Sequence, residues 1–420
     1  MNQIDLSGAS PAAREHYERA LGLFRLYSGD PVAAAEAAIT DSPGFAMAHL
    51  LKGWLNLLGT EPAGIEVARA AHAAAVPLCR TPGEQGHLAA VGHLVDGRWH
   101  DASQAILRVG MEQPHDLLAL QAGHQLDFFT GNAPSLRDRI ARALPEWSAD
   151  MPGYHALLGM HAFGLEETGD YGPAERAGRR AIELEPRDGW AQHAVAHVLE
   201  MQGRTAEGVA WMRDNADAWS RDSFFAVHNW WHLALYHLDR GETDEALKLF
   251  DGPIFGARSA VAMDLLDAAA LLWRLHLRGV AVGDRWEGVA DNWLPFASAG
   301  NYAFNDAHAV MAFVGAGRAD RVSEVIDAQD RAMAGVGDNA AFTREVGRPV
   351  VLGLKAFGEG DYVGCIAAIQ PVIPFANRFG GSHAQRDLLD LTVMEAARRL
   401  PDPALAQAIA AERRRKRGLL

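Results

Sequence analysis

Residues 158–186 read LGMHAFGLEETGDYGPAERAGRRAIELEP, and this stretch decides the fold. Apolar residues recur every three or four positions up to Thr168, Gly169 interrupts them, and a second helix-forming run ends at Leu184, just before Pro186. A glycine can take the left-handed geometry that side chains resist, so it ends one helix and turns the chain into the next. The segment therefore predicts a helical hairpin. The same punctuation stands at Gly29, Gly59, Gly97, Gly131, Gly169, Gly203, Gly241, Gly279, Gly317 and Gly360; by subtraction the intervals are 30, 38, 34, 38, 34, 38, 38, 38 and 43 residues. A small residue often falls five places after the glycine, at Ala34, Ala102, Ala174, Gly208 and Ala246, where paired helices could approach closely. Alternating β-branched runs are almost absent, so the expected fold is all-α.

The chain has 420 residues, 39 basic and 53 acidic, for a net charge of -14, which excludes nucleic-acid binding driven by charge alone. At 49% hydrophobic it is not a disordered chain. Cys79 and Cys365 are its two cysteines, too few for a disulfide framework or a thiolate metal cluster, and they point to a reducing compartment. Residues 1–10 lack the order of a secretion signal, and the apolar stretch 259–277 is broken by Asp264, Asp267 and Arg274. A cytoplasmic protein with no membrane span is expected.

The turn register resembles the tetratricopeptide repeat, whose unit is 34 residues of helix, turn and helix. Gly169, Tyr171, Ala174, Ala181 and Pro186 carry the resemblance in one unit; Trp230, Leu233, Ala234, Gly241, Ala246 and Phe250 carry it in another; Leu352, Gly353 and Gly360 begin a third. A narrower likeness rests on five motifs: 161–167, Trp190 to His193 with His197 to Met201, 228–232, 304–308 and 380–387. These resemble the tetratricopeptide repeat protein 38-like family. The resemblance implies one domain over residues 1–420: a right-handed superhelical solenoid of about ten hairpins, with closing helices in 380–420. It implies no reaction.

Histidine is distributed unevenly. The fourteen residues before each of the ten glycines make 140 of 420 positions, which would hold about six of the 18 histidines by chance; fourteen lie there. In tetratricopeptide solenoids that first helix lines the concave wall, so the resemblance implies an inner surface rich in imidazole. Trp190, His193, His197 and Glu200 are spaced three, four and three apart, which places them on one helix face. The next unit adds His228, Asn229, Trp231 and His232. Imidazoles at i and i+4 can share a divalent ion, with His193, His197 and His232 as the candidate ligands, or can form a hydrogen-bonded network instead. No His-Glu-x-x-His motif is present, and no metal is assigned.

Further candidates are His161 and Glu166; for Glu166 with Glu167 a solvated helix face is the simpler reading. Asp264 and Asp267 sit in apolar surroundings that suggest burial beside a partner. Asn305, Asp306 and His308 read as a polar knot or as helix caps. Ser382 can cap a closing helix that opens with His383 and Arg386, the latter able to receive a carboxylate or phosphate. The tail through Arg417 reads as a solvated helix end.

Two functions compete. One is a pocket for a small organic molecule with His193, His197, Glu200 and His232 as general acid and base groups of a hydrolase-like reaction. The other is a scaffold that grips a peptide of a protein partner. Tryptophan, histidine and acid in the expected lining favour the pocket.

Overall fold

The computed structural model describes residues 6–416. Its helices, in pairs, are α1 (Pro11–Leu26) and α2 (Pro31–Asp41), α3 (Ala46–Leu57) and α4 (Pro62–Ala75), α5 (Pro82–Val95) and α6 (Trp99–Glu112), α7 (Leu117–Phe129) and α8 (Ala133–Ala143), α9 (Tyr154–Glu167) and α10 (Tyr171–Leu184). They continue with α11 (Gly189–Met201) and α12 (Thr205–Asp214), α13 (Ala226–Asp239) and α14 (Thr243–Leu249), α15 (Ala262–Leu277) and α16 (Arg285–Trp293), α17 (Ala303–Gly315) and α18 (Ala319–Met333), α19 (Arg348–Gly358) and α20 (Tyr362–Ile369). Two closing helices follow, α21 (His383–Arg398) and α22 (Pro403–Lys416). No strand occurs among the described residues. The fold is an all-α array of tetratricopeptide-like helical hairpins.

The turns explain the glycines. At Gly169 the amide of Gly169 donates to the Glu166 carbonyl (2.8 Å) and that of Asp170 to the Leu165 carbonyl (2.8 Å), which satisfies carbonyls that the helix end would otherwise strand. The glycine that makes this possible has φ +83°. Gly97, Gly131, Gly203, Gly241, Gly279, Gly317 and Gly360 are also left-handed. Gly59 is not: the left-handed residue there is Thr60, at φ 57°, whose amide donates to the Leu57 carbonyl. In the first hairpin the cap is Tyr27, at φ 53°, two residues before Gly29. A side chain in this region costs about 1–2 kcal/mol, so packing around both residues must offset it.

In several hairpins the first helix is far more buried than the second helices of other hairpins. Of the 13 residues of α7, 11 are buried, and of the 16 of α15, 13 are, whereas α4 buries 4 of 14 and α10 only 3 of 14. The small residues after the turns sit where helices touch. Ala102, Ala174 and Ala246 are fully buried, and a Cβ on Gly208 would lie 2.3 Å from the Tyr236 ring.

By packing, the chain forms two units, residues 1–198 with 214–229 and residues 199–213 with 230–420. In the first, α1 is bonded to α7 far along the chain: Gln121 Nε2 donates to the Phe24 carbonyl (3.0 Å) and Gln125 Nε2 to the Tyr27 hydroxyl (2.8 Å). The amide of Phe224 also donates to the Tyr27 carbonyl (2.9 Å) and that of Gly29 to the Asp222 carbonyl (2.8 Å). In the second unit, Arg274 Nη2 on α15 donates to the Ala384 carbonyl (2.5 Å) and Trp273 Nε1 to the Thr392 hydroxyl (3.0 Å), so α21 is locked onto α15. Ser382 caps α21 in a reciprocal box with Gln385. The basic tail is not wholly solvated, because Arg413 grips Asp387 through two bonds of 2.7 and 2.6 Å. Arg417 lies outside the described residues. Among those described, no helix is long and apolar enough to cross a membrane.

Candidate functional site

In the first unit, the start of α11 projects Trp190, His193 and His197 from one face, since their spacing advances close to whole turns. His193 and His197 are 2% and 0% exposed, and their ring centres are 4.3 Å apart, edge to face. His228, at the start of α13, brings its Nε2 to 3.1 Å from that of His193. On the other side, Glu166 Oε2 lies 3.6 Å from His197 Nδ1, with both side chains fully buried. Glu166 and Glu167 thus lie in the interior, not on a solvated face. Leu165 and Gly164 precede them, and α9 is buried almost all round.

Aromatic rings wall the imidazoles. Phe163 lies 5.1 Å from His193 and 5.3 Å from His197, and Phe225 lies 5.3 Å from His193 and 5.2 Å from His228. Trp190 covers His193 at 5.1 Å and is itself stacked by Tyr27 at 5.5 Å and 14°. His124 meets the edge of Trp190, and burial pushes its pKa down to about 3, against a raising contribution from the Leu136 carbonyl at 3.3 Å. Asn229 is tied to structure: its Nδ2 donates to the Gly189 carbonyl (3.1 Å). His161 is half-buried, and burial lowers its pKa.

The second unit holds the other candidates. His232 is fully buried, its Nδ1 3.3 Å from Glu200 Oε2, and the Arg274 guanidinium lies 5.7 Å from the ring centre of Trp231. Asp267 is 2% exposed and Asp264 half-buried. Asn305, Asp306 and His308 do not cap α17, whose capping residue, Tyr302, offers no side-chain bond; all three are buried within the helix. Asp306 accepts from Gln329 Nε2 (3.2 Å), and burial raises its pKa to about 7. His308 is bound to the Phe304 carbonyl (2.9 Å), and burial lowers its pKa to about 4. Arg386 donates to the Gly381 carbonyl, and His383 is half-buried. The carboxylate in the first turn of α21, Asp387, accepts from Arg413, and the buried Arg274 was not among the candidate residues.

A second locality in the first unit was absent from the sequence reading. Along α1 runs a hollow of about 360 Å³ floored by Tyr17, Leu21, Leu118 and Trp147, and next to it one of about 340 Å³; Arg25 and Pro152 line both. Arg14 belongs to the first hollow and Arg19 to the second. Among the described residues, no carboxylate comes within ion-pair distance of Arg14, Arg19 or Arg25. The Arg25 Nε instead donates to the Leu21 carbonyl (3.3 Å), and burial lowers its pKa while Glu18 counters. Two acids of the lining are already engaged: Asp116 Oδ2 is 2.9 Å from His87 Nε2, and Glu185 accepts from Arg187 at 2.9 and 2.8 Å. Trp147 is fixed by donating to the Pro114 carbonyl (2.8 Å).

No known family model matches the chain. Among solved structures, 98% of it aligns with 78% of a chain in the crystal structure of the APC/C hetero-tetramer Cut9-Hcn1, at 10% identity and a TM-score of 0.41. A second alignment covers 96% of the chain and 63% of a chain in the structure of Naa15/Naa10 bound to HypK-THB, at 12% identity and a TM-score of 0.26. Similarity this distant carries no argument about function.

Proposed function

We propose that this helical-repeat protein is a docking module for a protein partner, and that it receives an acidic segment bearing apolar side chains along α1. One observation carries the reading: in a chain of net charge -14, three arginines on one helix line adjoining hollows, and among the described residues no acid lies within ion-pair distance of them. Guanidinium groups suit carboxylates because their planar donors match two oxygens at once. The floor of Tyr17, Leu21, Leu118 and Trp147 would bury the partner's apolar side chains, and aromatic and arginine anchors dominate such contacts. The test is fluorescence polarisation with two labelled twelve-residue peptides, one alternating leucine with glutamate and one alternating leucine with lysine. The acidic peptide should bind and the basic one should not, and Arg14→Glu/Arg19→Glu/Arg25→Glu should reverse the preference. Equal binding of both peptides, or an unchanged preference in the variant, would overturn the reading.

A second reading is favoured by the carboxylates set against His197 and His232, an arrangement that orients an imidazole for general base chemistry. On it, His197 with Glu166 behind it acts as general base on a small molecule. Hydrolysis of p-nitrophenyl acetate should then exceed the buffer rate and fall to it in His197→Ala. Equal rates with and without the protein would remove this reading.

A further inference from the structure

We infer that His193, His197 and His228 form a binding site for one divalent transition-metal ion of the zinc class, independently of the α1 groove. The ligand nitrogens of the three lie within 4.8 Å of one another. Two ligands of a tetrahedral ion, each about 2.0–2.1 Å from the metal, stand roughly 3.3 Å apart. The Nε2 atoms of His193 and His228 are 3.1 Å apart, close to that edge. The third imidazole, His197, packs edge to face on His193 with ring centres 4.3 Å apart, so three imidazoles meet in one place. Protonation cannot account for the grouping, because imidazolium ions this close and this buried would repel.

The surroundings have the layout of a metal site. Glu166 faces Nδ1 of His197, leaving Nε2 as the ligating nitrogen; a carboxylate behind a ligating histidine fixes its tautomer and raises its basicity. The donors are all imidazole nitrogens, which select zinc, copper or nickel over magnesium or calcium. Phe163, Phe225 and Trp190 exclude water from the site. The ion would join the start of α11 to the start of α13, two segments that meet nowhere nearby in sequence.

The full chain, stripped with chelator and dialysed, should take up one equivalent of Zn²⁺, followed by competition with a chromophoric chelator. His193→Ala and His228→Ala should each weaken binding at least 100-fold. Glu166→Gln should weaken it 10–100-fold while keeping the ligands. His161→Ala, on the same helix as Glu166 but half-buried outside the group, should leave it unchanged. If the alanine variants fail to fold, X-ray absorption of the Zn²⁺-loaded wild type decides: imidazole scattering from at least three histidines is expected. A folded wild type that takes up no equivalent of Zn²⁺, or a Zn²⁺ spectrum without imidazole scattering, would overturn the proposal.

Discussion

The α1 groove and the imidazole cluster belong to the same unit, and Tyr27, the residue after α1, stacks on Trp190 of the cluster, yet their polar groups are treated in opposite ways. In the groove, arginines stand at a partly open surface beside Glu18, with no acid within ion-pair distance among the described residues. In the cluster, imidazoles are shut among aromatic rings with a carboxylate set behind one of them. The difference teaches that the histidines gathered on these helices mark the interior of the array, while the recognition proposed for its exposed surface rests on arginine.

The strongest way to break the comparison is at the junction. Tyr27 stacks on Trp190, contacts Phe225 at 5.1 Å and accepts from Gln125 through its hydroxyl. Tyr27→Ala should cost about 3–5 kcal/mol in chemical denaturation, the usual loss for a large buried aromatic. A loss under about 1 kcal/mol would mean that the two localities are not coupled through this ring.

Acid should act on the cluster before the groove. His124 titrates near 6.5 when unfolded and at about 3 when folded, so its contribution is fully present above pH 6.5 and is lost as pH falls towards 3. The slope is at most roughly 1.4 kcal/mol per pH unit from this group. His124→Gln should flatten the stability profile between pH 6 and 4, measured by urea titration. An unchanged slope would show that His124 does not stay neutral in the fold. Asp306, in the second unit, has the opposite sign: its pKa is raised to about 7, so stability from it is present below about pH 4 and is lost as pH rises through 7. Asp306→Asn should therefore gain stability relative to wild type at pH 8.

Charge reversal in the groove should be milder on the fold. Arg14→Glu alone should weaken the acidic peptide about tenfold, worth roughly 1.4 kcal/mol, with thermal stability nearly unchanged because the guanidinium makes no ion pair among the described residues. A large drop in melting temperature would make Arg14 a structural residue. The smallest effect is at the second hairpin, where Thr60→Gly should stabilise by about 1 kcal/mol by relieving left-handed backbone. The same change at Tyr27 should destabilise, since there the side chain is worth more than the strain.

The hairpins were legible in the sequence because nine of the ten turn glycines take the one geometry that glycine favours. The second was displaced, from Gly59 to Thr60, and in the first Tyr27 is left-handed as well as Gly29, because packing can hold a side chain in left-handed backbone and no local signal reports it. The gathering of Trp190, His193, His197 and His228 followed in part from helical spacing, but the burial of Glu166 did not, since adjacent carboxylates usually signal a wet face. The groove was hidden for a sharper reason. Glu18 follows Arg14 by four positions and Glu15 precedes Arg19 by four, so helix spacing suggests ion pairs that the fold does not form.

Amide hydrogen exchange of the full chain with and without the leucine–glutamate peptide tests the central claim most directly. The account predicts added protection on α1 and on residues 144–153, with little change at the start of α11. Protection that appears on α11 and α13 while α1 is unaffected, or no protection at saturating peptide, would contradict it.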